Sequence, residues 1–153
     1  MAKLAKLKEK LSGVAITTPR FRMSYPSLFE QAEYQGQKVG YKVDALIAKN
    51  VDLADLKKAM VQAKTEAFGA DQKAWPKVVS CIKDGDSKQD QENYLGHYYI
   101  TLKSKVRKPA LVDSKKLPVE ETSEVYGGRW ARAAAKLMVV KSGDTYYMAC
   151  YMN

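Results

Sequence analysis

The chain has 153 residues, 46% of them apolar, and a formal net charge of +9. One domain with a real core fits that length, and the apolar fraction excludes wholesale disorder. The excess of cations favours a polyanionic partner, nucleic acid ahead of a membrane surface.

Two cysteines, Cys81 and Cys150, stand far apart, and His97 is the sole histidine. That set makes no zinc site, and free thiols in a reducing compartment follow. With no apolar run of membrane-spanning length and no apolar core in the first residues, the expectation is a soluble, cytoplasmic protein.

Residues 1–11 form a basic arm with Leu4, Leu7 and Leu11 at helical spacing. Residues 12–153 are taken as the folded domain. Ser12 to Met23 reads as a strand interrupted at Pro19, with Arg20 and Arg22 on one face and Phe21 and Met23 on the other. Ser24 to Phe29 reads as a turn and Gln31 to Gln37 as a polar loop. Lys38 to Ala48 is a strand that places Val39, Tyr41, Val43, Ala45 and Ile47 against Lys38, Lys42, Asp44 and Leu46. A helix follows, with Asp52 as N-cap, a stripe of Leu53, Leu56, Met60, Ala63 and Ala67, and Gly69 as stop.

Asp71 to Asn93 reads as a long irregular connection with an acidic turn from Asp84. Tyr94 to Pro109 carries no acid. As a strand it puts Tyr98, Ile100, Leu102 and Val106 on a core face, and Tyr99, Thr101, Lys103, Lys105 and Arg107 on the other. A ring followed by cations about 7 Å apart is what an extended single nucleic-acid strand requires. Ala110 to Glu124 is another loop. Tyr126 to Lys141 is again acid-free and reads as a strand, with Tyr126, Trp130, Arg132 and Lys136 opposite small alanines. Thr145 to Met152 closes the chain after a Ser142-Gly143-Asp144 turn. Five strands and one helix make the inventory of an OB-fold: mainly β, a five-stranded small barrel with long loops.

The DNA-binding candidates are Arg20, Arg22, Lys42, Lys103, Lys105, Arg107 and Arg132 for phosphates, and Tyr99 and Trp130 for stacking. Tyr94, Trp75 and Tyr126, in loops or at strand ends, rank behind them. Catalytic motifs are absent: no nucleophile elbow, no P-loop and no dinucleotide fingerprint. The acidic turn lacks the glycine and terminal glutamate of a calcium loop, so neither metal nor cofactor is expected. Two alternatives remain: a metal-dependent nuclease using Asp44, Asp84, Asp86 and Asp113, or a structural virion protein.

Several short pieces, in order, carry a resemblance. They are Thr18-Pro19-Arg20-Phe21, Ser24-Tyr25-Pro26, Tyr41 to Ile47 with Lys49, and Lys83-Asp84-Gly85-Asp86. Gly96-His97-Tyr98-Tyr99-Ile100, Arg107-Lys108-Pro109, Val112-Asp113 and Tyr126-Gly127-Gly128 complete the set. The chain resembles tailed-phage single-stranded DNA-binding proteins of OB-fold type, distantly similar to podophage replication proteins. The resemblance implies a protein that coats single-stranded DNA without sequence specificity or catalysis during phage replication or recombination, in the host cytoplasm. Its partners would be single-stranded DNA, duplex DNA more weakly, and phage or host replication and recombination proteins, as monomer or homodimer. Such proteins usually carry an acidic C-terminal tail, whereas this sequence ends on Tyr151-Met152-Asn153.

Overall fold

The computed structural model describes residues 13–88, 90–105 and 107–152. The basic arm and Val106 lie outside them. The elements in order are β1 (Val14–Thr17), β2 (Phe21–Tyr34), β3 (Gln37–Ala48), α1 (Ala54–Phe68), β4 (Val78–Val79), β5 (Lys83–Asp84), β6 (His97–Ser104), β7 (Trp130–Ala131), β8 (Ala134–Ser142) and β9 (Thr145–Met152). Among the described residues four short 3₁₀ turns punctuate the connections.

Among the described residues the strands form one nine-stranded sheet, not the five-stranded barrel expected from the sequence. Its main path is β1-β8-β9-β6-β3-β2-β7, with β4 on β9 and β5 on β6. Two features raise the number. Pro19 has no N–H and splits one long strand into β1 and β2. Opposite it, the partner strand breaks into β7 and β8. The junction is held by Thr18, whose N–H donates to the Ala133 carbonyl at 2.9 Å, while the Ala133 N–H donates to Thr18 Oγ1 at 2.9 Å. Short strands β4 and β5 were not foreseen, since two-residue pairings leave no periodic signal.

The expected turn at Ser24 to Phe29 and loop at Gln31 to Gln37 are also corrected. Strand β2 runs through the first and into the second as far as Tyr34, and β3 begins at Gln37. Tyr25, at φ 48°, marks an irregularity at which the register against β3 shifts between Ser24 and Ser27. That irregularity accommodates Pro26 within the strand. The hairpin closes in two residues, Gln35 and Gly36, both with positive φ. The β8–β9 hairpin turns at Gly143-Asp144 as the sequence suggests.

One face of the sheet is the core. Val43, Ala45, Ile47, Ile100, Leu102, Ala135, Leu137 and Cys150 are all buried there, as alternation requires. Helix α1 adds Leu56, Ala59, Met60 and Ala63 and packs on β1 and β8. Ala67 is exposed, so the predicted stripe ends one turn early. Asp52 Oδ1 accepts the Ala54 N–H, and Gly69 stops the helix at φ 88°. Both cysteines are free and buried, and burial pushes Cys81 to about 11 and Cys150 to about 12. No described helix is long and apolar enough to cross a membrane.

Candidate nucleic-acid interface

The second face of the sheet carries the chemistry. Residues paired across neighbouring strands point to the same side. Register therefore builds rows that sequence alone does not display. One row runs Ser27, Lys42, Lys103, Tyr151, Lys136 over β2, β3, β6, β9 and β8. From Lys42 to Lys136 there are three strand steps, roughly 14 Å. Lys42 and Lys103 are exposed and directly opposite each other. Two like charges so placed cost on the order of a few tenths of a kcal/mol. Lys103 Nζ lies 5.9 Å from the Tyr151 ring centroid. Beside the row, Arg107, Lys108 and Lys136 line a hollow of about 450 Å³ with no acidic wall. Lys105 is exposed just past the end of β6. Among the described residues the only ion pairs belong to Lys49, so none of these cations has a carboxylate partner.

A second row runs Trp130, Arg22, Leu46, Tyr99 over β7, β2, β3 and β6. Trp130 is 49% exposed, and the Arg22 and Arg20 guanidiniums lie 4.7 and 5.1 Å from its ring centroid. Tyr126 is exposed nearby, with Arg129 5.8 Å from its ring, and Arg132 is exposed one strand position on.

The opposite end of this second row corrects the sequence expectation. Tyr99 was expected to be exposed with Lys103, Lys105 and Arg107, yet it is only 8% exposed. Residues 84–88 and 90–96 lie across it as a strap. Tyr94, 1% exposed, meets Tyr99 edge-on at 5.2 Å and shields Leu46 in a small second core. Neither tyrosine offers a free ring face for stacking. Tyr98, expected in the core, is half-buried with Lys49 over its ring. Tyr25 stands 64% exposed above Tyr94 and went unnoticed in the sequence because its segment read as a turn. Tyr151 and Lys136 were missed as members of the row because only cross-strand register reveals it. Trp75 is half-buried, with its indole N–H donated to the Gly69 carbonyl.

The strap is fastened by acids that a metal-dependent nuclease would use. Lys49 Nζ reaches Asp84 at 2.8 Å and Asp86 at 2.5 Å. Asp86 Oδ1 accepts the Gly96 N–H at 2.8 Å. Asp44 accepts from the Tyr94 hydroxyl at 2.6 Å and from Thr101 at 2.7 Å. Asp113 accepts the Lys115 and Leu117 amides of its own turn. Each carboxylate is thus committed locally, and the described residues hold no cluster of three metal-ligating side chains. His97 Nδ1 lies 2.9 Å from the Leu95 carbonyl, a structural role.

Two predictions arise from the strap. The hydrogen bond from Lys49 holds Asp84 below the usual carboxylate range, and the Gly96 amide followed by Lys49 does the same for Asp86. Lys49 is raised in turn, first by Asp84. Lowered carboxylate pKa values give stability that is present above the unfolded value near 4 and lost as pH falls through the folded value. The strap is therefore expected to hold at neutral pH and to loosen below about pH 4. Hydrogen exchange at the Gly96 amide tests this. Lys49→Met should move the loss of protection to higher pH, and an unchanged profile would rule the clamp out. Separately, Tyr94→Phe removes a hydrogen bond to a carboxylate and is expected to cost about 1.5–3 kcal/mol in chemical denaturation. A change under about 0.5 kcal/mol would mean that the bond contributes nothing net.

A β face with unpaired cations, flanked by exposed rings, belongs to the class of surface that holds an extended nucleic-acid strand. The chain belongs to the family described as Enterobacter phage Enc34, ssDNA-binding protein, which it matches over residues 14–153. Its fold is similar to that of the single-stranded DNA-binding protein from bacteriophage Enc34 in complex with ssDNA. The TM-score is 0.75 at 19% identity, over 91% of this chain and 82% of that one. The Enc34 protein without DNA gives 0.68 at 20% identity, over 91% and 77%. The single-stranded DNA-binding protein gp2.5 of bacteriophage T7 gives 0.60 at 15%, over 92% and 86%. No curated protein matches the sequence.

Proposed function

We propose that this chain binds single-stranded DNA across its outer sheet face, without sequence preference and without catalysis, to coat strands exposed during phage replication or recombination. The observation that carries the proposal is the row Lys42, Lys103, Tyr151, Lys136, in which unpaired cations alternate with a ring across the sheet. Phosphates meet Lys42, Lys103, Lys105, Arg107 and Lys136. Bases stack on Tyr151 and, past the strap, on Trp130, whose flanking Arg20 and Arg22 with Arg132 supply further charge. This deposits the affinity on the backbone, so it should fall steeply with salt and vary little with sequence.

The architecture supports an OB-type organisation. If β1 with β2 count as one strand and β7 with β8 as another, five long strands remain, and the Thr18–Ala133 bonds join the first to the fourth. β6 and β9 run parallel, at Leu102↔Cys150 and Lys103↔Tyr151. In small barrels of this type a strand-binding face lies between two hairpins, here β2–β3 and β8–β9.

Fluorescence anisotropy with labelled oligonucleotides at rising salt tests the function. Thymine and mixed-sequence strands are expected to bind within about threefold of each other, and a chain neutralising five phosphates gives a log–log salt slope of about −3.5. No binding at low salt would refute it.

A further inference from the structure

Beneath Trp130 the sheet opens into a cleft of about 1020 Å³ between β7 and the loop from Pro109 to Val125. Its floor is apolar, formed by Phe21, Met23 and Leu28 at the end of the core. Its mouth is cationic: Arg20, Lys116, Arg129 and Arg132 line it against two acids, Asp113 and Glu124. Asp113 is already spent on its own turn. Trp130 and Arg20 belong both to the cleft and to the exposed outer face. The cleft is therefore continuous with the proposed path of the strand, and its charge suits an anion attached to a flat apolar ring.

We propose that this cleft takes a nucleobase out of the bound strand. The base ring lies on the apolar floor against Trp130, and its phosphate stays at the mouth with Arg20 and Arg132. This rests on the strand-binding proposal above, and it separates two parts of the interface. The lysine row holds backbone with Tyr151 as its one stacking ring, whereas the Trp130 end takes a base into a cleft. A space that admits a flat ring on an apolar floor is the usual form of a small-molecule site. Extruding a base is least costly from a strand that is already single.

The test uses two strands of equal length, one of thymidines and one abasic. Val112 is 57% exposed and lines the cleft, so Val112→Trp fills the space without touching the core. The variant is expected to bind the thymidine strand about tenfold more weakly, the size of one lost stacking contact, and the abasic strand as wild type does. Equal losses on both strands, or none on either, overturn the proposal. No loss on either would leave the cleft to another occupant, such as an acidic peptide.

A second measurement does not depend on that variant folding. In the Trp75→Phe chain, thymidine 5′-monophosphate is expected to quench Trp130 emission, and deoxyribose 5-phosphate is not. Quenching by neither, or by both alike, overturns the cleft. If no strand binds but thymidine 5′-monophosphate still quenches, the strand-binding proposal falls and the cleft stands.

Discussion

Replacing Gly85 with alanine is expected to destabilise the protein by about 3 kcal/mol or more, lowering Tm by roughly 6–12 °C. A Cβ at this buried position would stand 2.1 Å from the Tyr94 carbonyl oxygen and 2.5 Å from that of His97. Both are backbone atoms, so no flexible side chain can give way. The surroundings are fixed on each side. Lys83 and Asp84 pair with Tyr99 and Tyr98 of β6, and Lys49 clamps Asp84 and Asp86. The strain should be relieved by lifting the strap, which would expose Tyr94 and Tyr99. Thermal unfolding checks the first effect and tyrosine accessibility the second. A Tm within about 2 °C of wild type would mean that the strap is not packed as described. Gly40 has a similar constraint at φ 95°, with a Cβ 2.6 Å from the Ser104 carbonyl oxygen.

The second large effect concerns binding. Lys42→Glu is expected to weaken single-stranded DNA binding by about tenfold at low salt, and Lys42→Glu with Lys103→Glu by on the order of 100-fold, with the salt slope reduced by about 1.4. Stability should move the other way in the single variant. Lys42 and Lys103 are direct cross-strand partners, so the new Glu–Lys pair replaces repulsion with attraction and adds a few tenths of a kcal/mol. A variant that folds slightly better and binds much worse would show that the lysine pair is kept for a partner rather than for the fold. Equal loss of stability and affinity would instead make the effect structural.

Strand alternation made most of the core legible in the sequence. Val43, Ala45, Ile47, Ile100 and Leu102 are buried on the predicted face, whereas Val39 and Tyr41, expected with them, are exposed and half-buried respectively, and the small residues at Ala131, Ala133 and Ala135 face inward. Lys42 and Lys103 also stand exposed as a strand reading requires, whereas Lys105 and Arg107 are exposed beyond Ser104, where the strand ends short of the expected Pro109. The failure at Tyr99 has a specific cause. Alternation says which side of a strand a residue takes, but not whether another segment covers that side. Here a strap distant from β3 in sequence lays Tyr94 over Asp44, Leu46 and Tyr99. The row through Tyr151 and Lys136 was hidden for a related reason. It depends on β6 lying parallel to β9, a long-range pairing with no local signature. The bulge at Tyr25 was hidden because Pro26 in a strand reads as a break unless the neighbouring φ is known.

In the proposed complex one face of the sheet holds the DNA. Amide chemical shifts recorded during titration with a short thymidine oligonucleotide test it most directly. Shifts are expected to concentrate at Lys42, Lys103, Lys136 and Tyr151, with a second group around Arg22 and Trp130. The solvent side of α1 is also basic, at Lys57, Lys58 and Lys64, and should stay unmoved. Shifts centred on α1 with none along the lysine row would contradict it.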